Sequence, residues 1–163
     1  MESLKISKSN KKKVKVGEPA PLFSLPNEAG EEVKLEDYIG KKSIVLYFYP
    51  KDYTGGCTAQ ACSFRDRYEL FLKAGAEVIG ISADSSESHT EFSASYKLPF
   101  VLLSDEKNEV RKLYNVGSTL GIIPGRVTYI IDKQGIIQHI FSSQFNPKKH
   151  IDEALKILEK INE

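Results

Sequence analysis

The segment SIVLYFYPKDYTGGCTAQACSFRD, Ser43 to Asp66, decides how this chain folds. Its first part, Ser43–Pro50, is a nearly continuous apolar and aromatic run, as a strand buried on both faces requires. Proline closes the run because it cannot supply the next ladder hydrogen bond. A polar loop with Thr54 and the pair Gly55-Gly56 follows. From Cys57 to about Ala74, the residues Ala61, Phe64, Tyr68, Phe71 and Leu72 fall on one side at helical spacing. Strand, loop and helix are therefore predicted in that order.

Outward from this unit, AEVIGISAD reads as a second buried strand and SSESHTEFSASYKL as the helix after it. Ser88 and Glu91 have capping-box spacing, and Ser85 or Ser86 can equally start that helix. FVLLSD is a third strand, EKNEVRKLYNV a short helix, and GRVTYIIDKQGIIQHIFSS two strands around an Asp-Lys-Gln-Gly turn, hence a hairpin. The segment NPKKHIDEALKILEKINE is an amphipathic helix with Ile151, Ala154, Leu155, Leu158 and Ile161 on one face. This order predicts an α/β fold whose mixed central β-sheet is flanked by helices on both faces. Thioredoxin-like folds have the same order, with helical insertions. Fold order by itself assigns no chemistry.

With 163 residues and no internal repeat or low-complexity linker, the chain reads as one domain over residues 14–163 behind a flexible basic tail, residues 1–13. A domain of that size buries about 70% of its unfolded surface and needs no disulfide or metal to make a core. Twenty-three basic and 22 acidic residues leave a formal charge of +1, so there is no general pull toward nucleic acid. No apolar run approaches the roughly 20 residues that span a membrane. The leader has five lysines before Val14 but no apolar h-region and no arginine, which argues against a secretory signal and an organelle transit peptide. A reducing cytoplasm is the expected location, and there a cysteine pair is more often catalytic or metal-binding than structural.

The only two cysteines, Cys57 and Cys62, both lie in the deciding segment. A helix start offers unpaired amides and roughly half a positive charge, which favour an anion, so a thiol at Cys57 is expected to ionise readily. Gly55 and Gly56 allow the backbone to bend sharply and to approach a ligand closely. The Thr54 hydroxyl both donates and accepts, and is placed to hold a small polar substrate beside the sulfur. The ordinary alternative is a turn, a cap and a small buried hydrophobe, which must then account for the whole assembly. Cys62 is five residues on, about 500° and 7.5 Å along a helix, so the two Cα atoms stand roughly 8–9 Å apart. Disulfide bonding wants no more than about 7 Å, so an intact helix keeps the sulfurs from bonding. From the residues alone, Cys62 reads equally as a buried side chain or as the partner of Cys57.

The segment YFYPKDYTGGCTAQACSFRD resembles the active-site stretch of the peroxiredoxins, with their Pro, Thr and Cys at Pro50, Thr54 and Cys57. The further cysteine five positions on, followed by SFRD, resembles the bacterioferritin comigratory protein, or peroxiredoxin Q, branch. Similarity extends from VGEPAPLFSLPNEAG through VIGISADS and VLLSD to GRVTYIIDKQGII. The resemblance implies a thiol peroxidase acting on hydrogen peroxide and organic hydroperoxides without metal, flavin or haem. It implies Cys57 as peroxidatic and Cys62 as resolving cysteine, with Thr54, Arg126 and Pro50 completing the site. Thioredoxin or glutaredoxin is the implied reductant, and the branch includes monomers and weak homodimers.

Two departures from the pattern stand out. Gln60 replaces a common Glu and removes a negative charge near the sulfur, and Pro124-Gly125 lengthens the approach to Arg126. Arg65, adjacent to Asp66, reads as a structural ion pair.

Other readings fit the residues less well. Structural zinc wants four Cys or His ligands in short paired spacings, whereas His89, His139 and His150 are scattered over a probable helix start, a strand and a helix start. A Cys–His hydrolase needs an imidazole beside the thiolate, and no histidine flanks the motif. A disulfide reductase would carry Cys-x-x-Cys, and a non-catalytic binding module would leave both thiols unreactive.

Overall fold

The computed structural model describes residues 14–119 and 123–162, so the basic tail expected over residues 1–13 lies outside the described residues. A small antiparallel pair, β1 (Ser24–Pro26) and β2 (Glu32–Lys34), leads through a 3-10 turn at Leu35–Asp37 into β3 (Ser43–Phe48). Helices α1 (Gly55–Asp66) and α2 (Tyr68–Lys73) precede β4 (Ala76–Ser82), and α3 (Ser86–Tyr96) precedes β5 (Val101–Ser104). The short α4 (Glu109–Leu113) and the two-residue strands β6 (Ser118–Thr119) and β7 (Ile123–Pro124) come next. The hairpin β8 (Val127–Ile131) and β9 (Ile137–Ser142) and helix α5 (Lys149–Ile161) close the order.

Five strands form the central sheet in the order β5-β4-β3-β8-β9. The pairs β3–β4 and β4–β5 are parallel, while β3–β8 and β8–β9 are antiparallel, giving the mixed sheet expected. Strand period two explains why β3 is buried on both sides. Val45 and Tyr47 face a core shared with Phe64, Phe71, Phe92, Ile151 and Leu158 from the helices. Ile44, Leu46 and Phe48 face a second core with Leu35, Val110 and Tyr114. Helices α1, α2, α3 and α5 thus cover one face, and α4 with the entering segment covers the other. Each such fully buried aliphatic or aromatic side chain contributes about 1.5–3 kcal/mol.

Local expectations met three corrections. The helix read from Cys57 to Ala74 is two helices: at Arg67 (φ −115°, ψ 15°) the chain leaves helical geometry and the amide turns back to Phe64 and Arg65 carbonyls. The break rotates the second piece, so Phe71 is buried but Leu72 is 41% exposed. Helix α3 is capped by Ser85, whose Oγ accepts from the Ser88 amide at 3.1 Å, so Ser88 is not the cap. The β1–β2 and β6–β7 pairs have no counterpart in the sequence reading.

His150 ties α5 to the sheet. A carbonyl only accepts, so Nε2–H donates to the Ser143 carbonyl (2.9 Å), and Nδ1 accepts from the Thr128 hydroxyl (2.7 Å) in the neutral ring. Burial lowers its pKa to about 4, against the opposing pull of the Ser143 carbonyl. An unfolded chain takes up this proton near pH 6.5, so stability is fully present above that value and falls as pH drops toward about 4. The loss amounts to about 3 kcal/mol. Urea unfolding at about pH 7 and about pH 4.5 checks this. His150→Gln flattens the acid limb, and an unchanged slope contradicts the assignment.

Candidate active site

The loop after β3 is bent by a residue other than glycine. The Tyr49 amide makes a last ladder-type bond to the Ile81 carbonyl (3.0 Å), and half-buried Pro50 ends the pairing. Tyr53 then takes a left-handed backbone, φ +68°, which costs an L-residue about 1–2 kcal/mol. Its ring recovers part of that by packing edge-on to Phe92, with centroids 5.1 Å apart. The sharp bend expected at Gly55-Gly56 therefore sits at Tyr53, and neither glycine has a positive φ.

Asp52 anchors the same loop from below. Its buried carboxylate accepts from the Tyr49 hydroxyl (2.6 Å), the Ser88 hydroxyl (2.9 Å) and His89 Nδ1 (2.7 Å). Its amide donates to Asp84 (2.8 Å). The other His89 nitrogen donates to the Leu103 carbonyl (3.0 Å), so the loop is tied to α3 and β5 together. Asp52, Asp84 and His89 place a ligand atom each within 4.8 Å of one another, but these atoms are already engaged with protein donors and acceptors. Nothing there calls for a cation.

Thr54 stands at the N-cap of α1 with extended backbone (φ −78°, ψ 155°) and makes no side-chain cap. Its exposed hydroxyl donates instead to the Lys51 carbonyl (2.9 Å), which leaves the oxygen free to accept. The first helical bond runs from the Thr58 amide to the Thr54 carbonyl (2.8 Å), so the amides of Gly55, Gly56 and Cys57 belong to the unpaired first turn. Cys57 is 1% exposed among Tyr47, Tyr49, Ala61 and Phe64.

Arg126 reaches this helix start from the sheet. It is buried, with Nη1 donating to Gln60 Oε1 (2.7 Å) and Nε to the Gln144 carbonyl (3.2 Å). A Cβ on Gly56 would stand 2.9 Å from Arg126 Nη2, whereas one on Gly55 would meet nothing. Gly56 is thus the position where a missing side chain matters. Pro124-Gly125 does not keep Arg126 away, and a Cβ on Gly125 would stand 2.7 Å from the Gly117 carbonyl oxygen.

Gln60 is fully buried. Its amide oxygen accepts from the guanidinium without bringing a charge, while Nε2 and the Tyr47 hydroxyl have no partner among the described residues. Among the described residues Arg126 forms no ion pair with a carboxylate.

Both cysteines are free thiols. Cys62 is half-buried on the continuous helix α1, so the helical separation derived from sequence stands. Arg65 pairs with Asp66 (3.0 Å) and donates to the Tyr96 carbonyl (2.8 Å), in keeping with a structural role. The residue that sequence reading missed is Arg111, buried and bonded to the Tyr49 and Gly125 carbonyls, where β3 ends and β8 begins. In EVRKLY it reads as a surface charge. Its signal is the three-residue spacing to Tyr114, which places both on one helical face.

The AhpC/TSA family model matches residues 16–140. Chloroplastic peroxiredoxin Q of Sedum lineare is 56% identical over 150 residues, covering 91% of this chain and 80% of its own. A solved structure of peroxidoxin BcpB from Mycobacterium tuberculosis is 32% identical, with a TM-score of 0.84, over 91% of this chain and 98% of its own. The Xanthomonas campestris bacterioferritin comigratory protein, solved in work on its alkyl peroxide reduction activity, is 28% identical with a TM-score of 0.79, over 86% and 92%. The thioredoxin-like fold is shared with these structures.

The expected cytoplasmic location is overturned: relatives at 52–57% identity are chloroplastic by name. That expectation rested on a default for reduced thiols, and nothing in the folded residues distinguishes one compartment from another.

The two glycines give a direct check on the geometry. Gly55→Ala gains about 0.5–1 kcal/mol, because it removes backbone freedom from the unfolded chain without a clash. Gly56→Ala gains nothing and displaces the Arg126 guanidinium. Urea unfolding with crystal structures of both variants tests this. Equal stabilisation with an unmoved guanidinium contradicts it.

Proposed function

The chain belongs to the AhpC/TSA family, in its peroxiredoxin Q branch, and from that premise we propose that it reduces hydroperoxides at Cys57, with Cys62 as resolving partner. Thiol peroxidase activity goes with the family; the residue roles and the disulfide are what we propose. The observation that carries it is a thiol 1% exposed at a helix start beside a buried guanidinium that forms no ion pair among the described residues. Burying a cation costs several kcal/mol unless an anion answers it. A thiolate at Cys57 answers it, and the first-turn amides of α1 add donors to the same place.

In the reaction the Cys57 thiolate attacks the terminal oxygen of R–O–O–H. An S–O bond forms, the O–O bond breaks, and RO⁻ leaves to take a proton as alcohol or water. The sulfur becomes a sulfenic acid. Hydroxide is a poor leaving group, since water ionises near pH 15.7, so fixed donors must meet the charge that develops along the O–O axis. Arg126 and the Cys57 amide supply them. The Thr54 oxygen, its own hydrogen turned to Lys51, accepts from the hydroperoxide O–H. Pro50 shields the sulfur from water.

Cys62–SH then attacks the sulfenic sulfur, releasing water and forming the Cys57–Cys62 disulfide. An intact α1 forbids that bond, so its first turns unwind, at a cost that includes the Gln60–Arg126 hydrogen bond, about 1.5–3 kcal/mol for a charged donor. Local opening at a helix end lies well within the range of native fluctuations. A dithiol reductant such as thioredoxin or glutaredoxin restores both thiols. Both cysteines sit on one chain, so residues 14–163 complete the cycle as one unit, monomeric or weakly dimeric. The chemistry asks nothing of nucleic acid, membrane, metal or organic cofactor. No described helix is long and apolar enough to cross a membrane.

Peroxide consumption coupled to thioredoxin, with mass mapping after one equivalent of hydrogen peroxide, tests the cycle. Cys57→Ser falls to background. Cys62→Ser still consumes the first equivalent but loses at least about tenfold in sustained turnover, because the sulfenic acid is no longer trapped as an exchangeable disulfide. A Cys62→Ser protein that turns over normally removes the resolving role.

A further inference from the structure

Arg111 lies on the opposite side of the sheet from α1. Its guanidinium carbon is 5.8 Å from the centre of the Phe48 ring, and it extends to the edge where β3 ends and β8 begins. There Nη2 donates to the Tyr49 carbonyl (2.9 Å) and Nη1 to the Gly125 carbonyl (3.0 Å). Tyr49 precedes Pro50 and Gly125 precedes Arg126, so one guanidinium joins the two segments that build the site. Its own backbone is fixed by Asp105, whose carboxylate accepts from the amides of Val110 (3.2 Å) and Arg111 (2.9 Å). Asp105 is thereby engaged with amides, and among the described residues Arg111 forms no ion pair.

A neutral amide could bridge two carbonyls. A buried guanidinium brings a charge as well, at a desolvation cost that only a counter-charge offsets. The titratable groups around it can be taken in turn. Tyr47 and Tyr49 from β3 and its loop, and Tyr129 from β8, are pushed by burial above the ordinary phenol range and stay neutral. Tyr114 from the end of α4 is likewise raised by burial. Asp52 is held by His89, and Arg126 has the same sign. Burial disfavours the Arg111 charge, while Asp105, Tyr129 and Cys57 favour it. Two of these have anionic forms that favour the Arg111 charge: Asp105, whose carboxylate is held by the amides of α4, and Cys57, the sulfur already assigned to Arg126.

We propose that Arg111 is a positioning residue of the peroxidase site, which locks the segments carrying Pro50 and Arg126 together and supplies a second positive charge that favours Cys57 as its anion. This rests on Cys57 being the reacting sulfur.

The test uses the full chain in a Cys62→Ser background, where Cys57 is the one thiol, with Arg111→Met, Arg111→Gln and Arg111→Lys added. The readouts are the pH midpoint of Cys57 alkylation by iodoacetamide and the rate with hydrogen peroxide. Met and Gln raise the midpoint by about one pH unit or more and slow the peroxide reaction at neutral pH at least about tenfold, while Lys keeps the midpoint of the parent. Gln retains a donor to the carbonyls and carries the test if Met fails to fold. Midpoints unchanged in both neutral variants overturn the proposal and leave Arg111 a structural tie, even if the peroxide rate falls. A Lys variant shifted as far as Met overturns it too. Failure of the peroxidase reading looks different: the parent itself then reacts with peroxide no faster than a simple thiol, whatever the midpoints do.

Discussion

Two arginine side chains carry positive charge below the surface of this protein, and neither forms an ion pair with a carboxylate among the described residues. Water has been removed from both, and their hydrogen bonds go to amide and carbonyl oxygens, which orient a guanidinium without neutralising it. Those two buried charges are the constraint around which the rest is arranged. The Gly56 side facing Arg126 is bare because a methyl group would collide with the guanidinium. The loop after β3 accepts a strained Tyr53 backbone and is fastened by Asp52. Helix α1 then begins with its unpaired amides where the sulfur stands, and that sulfur is the proposed anion.

The same arrangement sets chemistry against mechanics. Peroxide reduction as proposed needs α1 wound to its first turn, with Gln60 against Arg126; a Cys57–Cys62 bond needs that turn undone. A carboxylate at position 60 would neutralise Arg126 and bind α1 to the sheet by an ion pair. The amide does neither. It keeps the guanidinium oriented, leaves its charge for the sulfur, and holds the helix by one hydrogen bond. Gln60 Nε2, buried without a partner among the described residues, is the residual cost of that choice.

Much of the fold was legible because periodicity reports burial directly. Ser43–Phe48 and Ala76–Ser82 read as buried strands, the turn at Asp132–Gly135 as a hairpin, and Ile151, Ala154 and Leu158 as the inward stripe of α5. What failed to show in the sequence was decided by distant contacts. The break at Arg67 has no Gly or Pro to mark it. The bend at Tyr53 is stabilised by aromatic rings some forty residues on, so the glycines beside it drew the assignment. Thr54, Cys57 and Arg126 were named from their motif, and the structure brings Arg126 against the Cys57 helix. Arg111 escaped because a charged residue in a charged helix reads as solvated until its acceptors, Tyr49 and Gly125, are seen to lie 62 and 14 positions away.

The proposed chemistry requires the buried Cys57 to stand as an anion held by protein groups alone. Ultraviolet titration of thiolate absorbance in the Cys62→Ser protein, with Cys57→Ser as blank, tests it most directly. The Cys57 signal is expected to be complete already at neutral pH and to disappear only on acidification. A sulfur that still holds its proton at neutral pH, and gains absorbance only in alkaline solution as a free cysteine does, would contradict it.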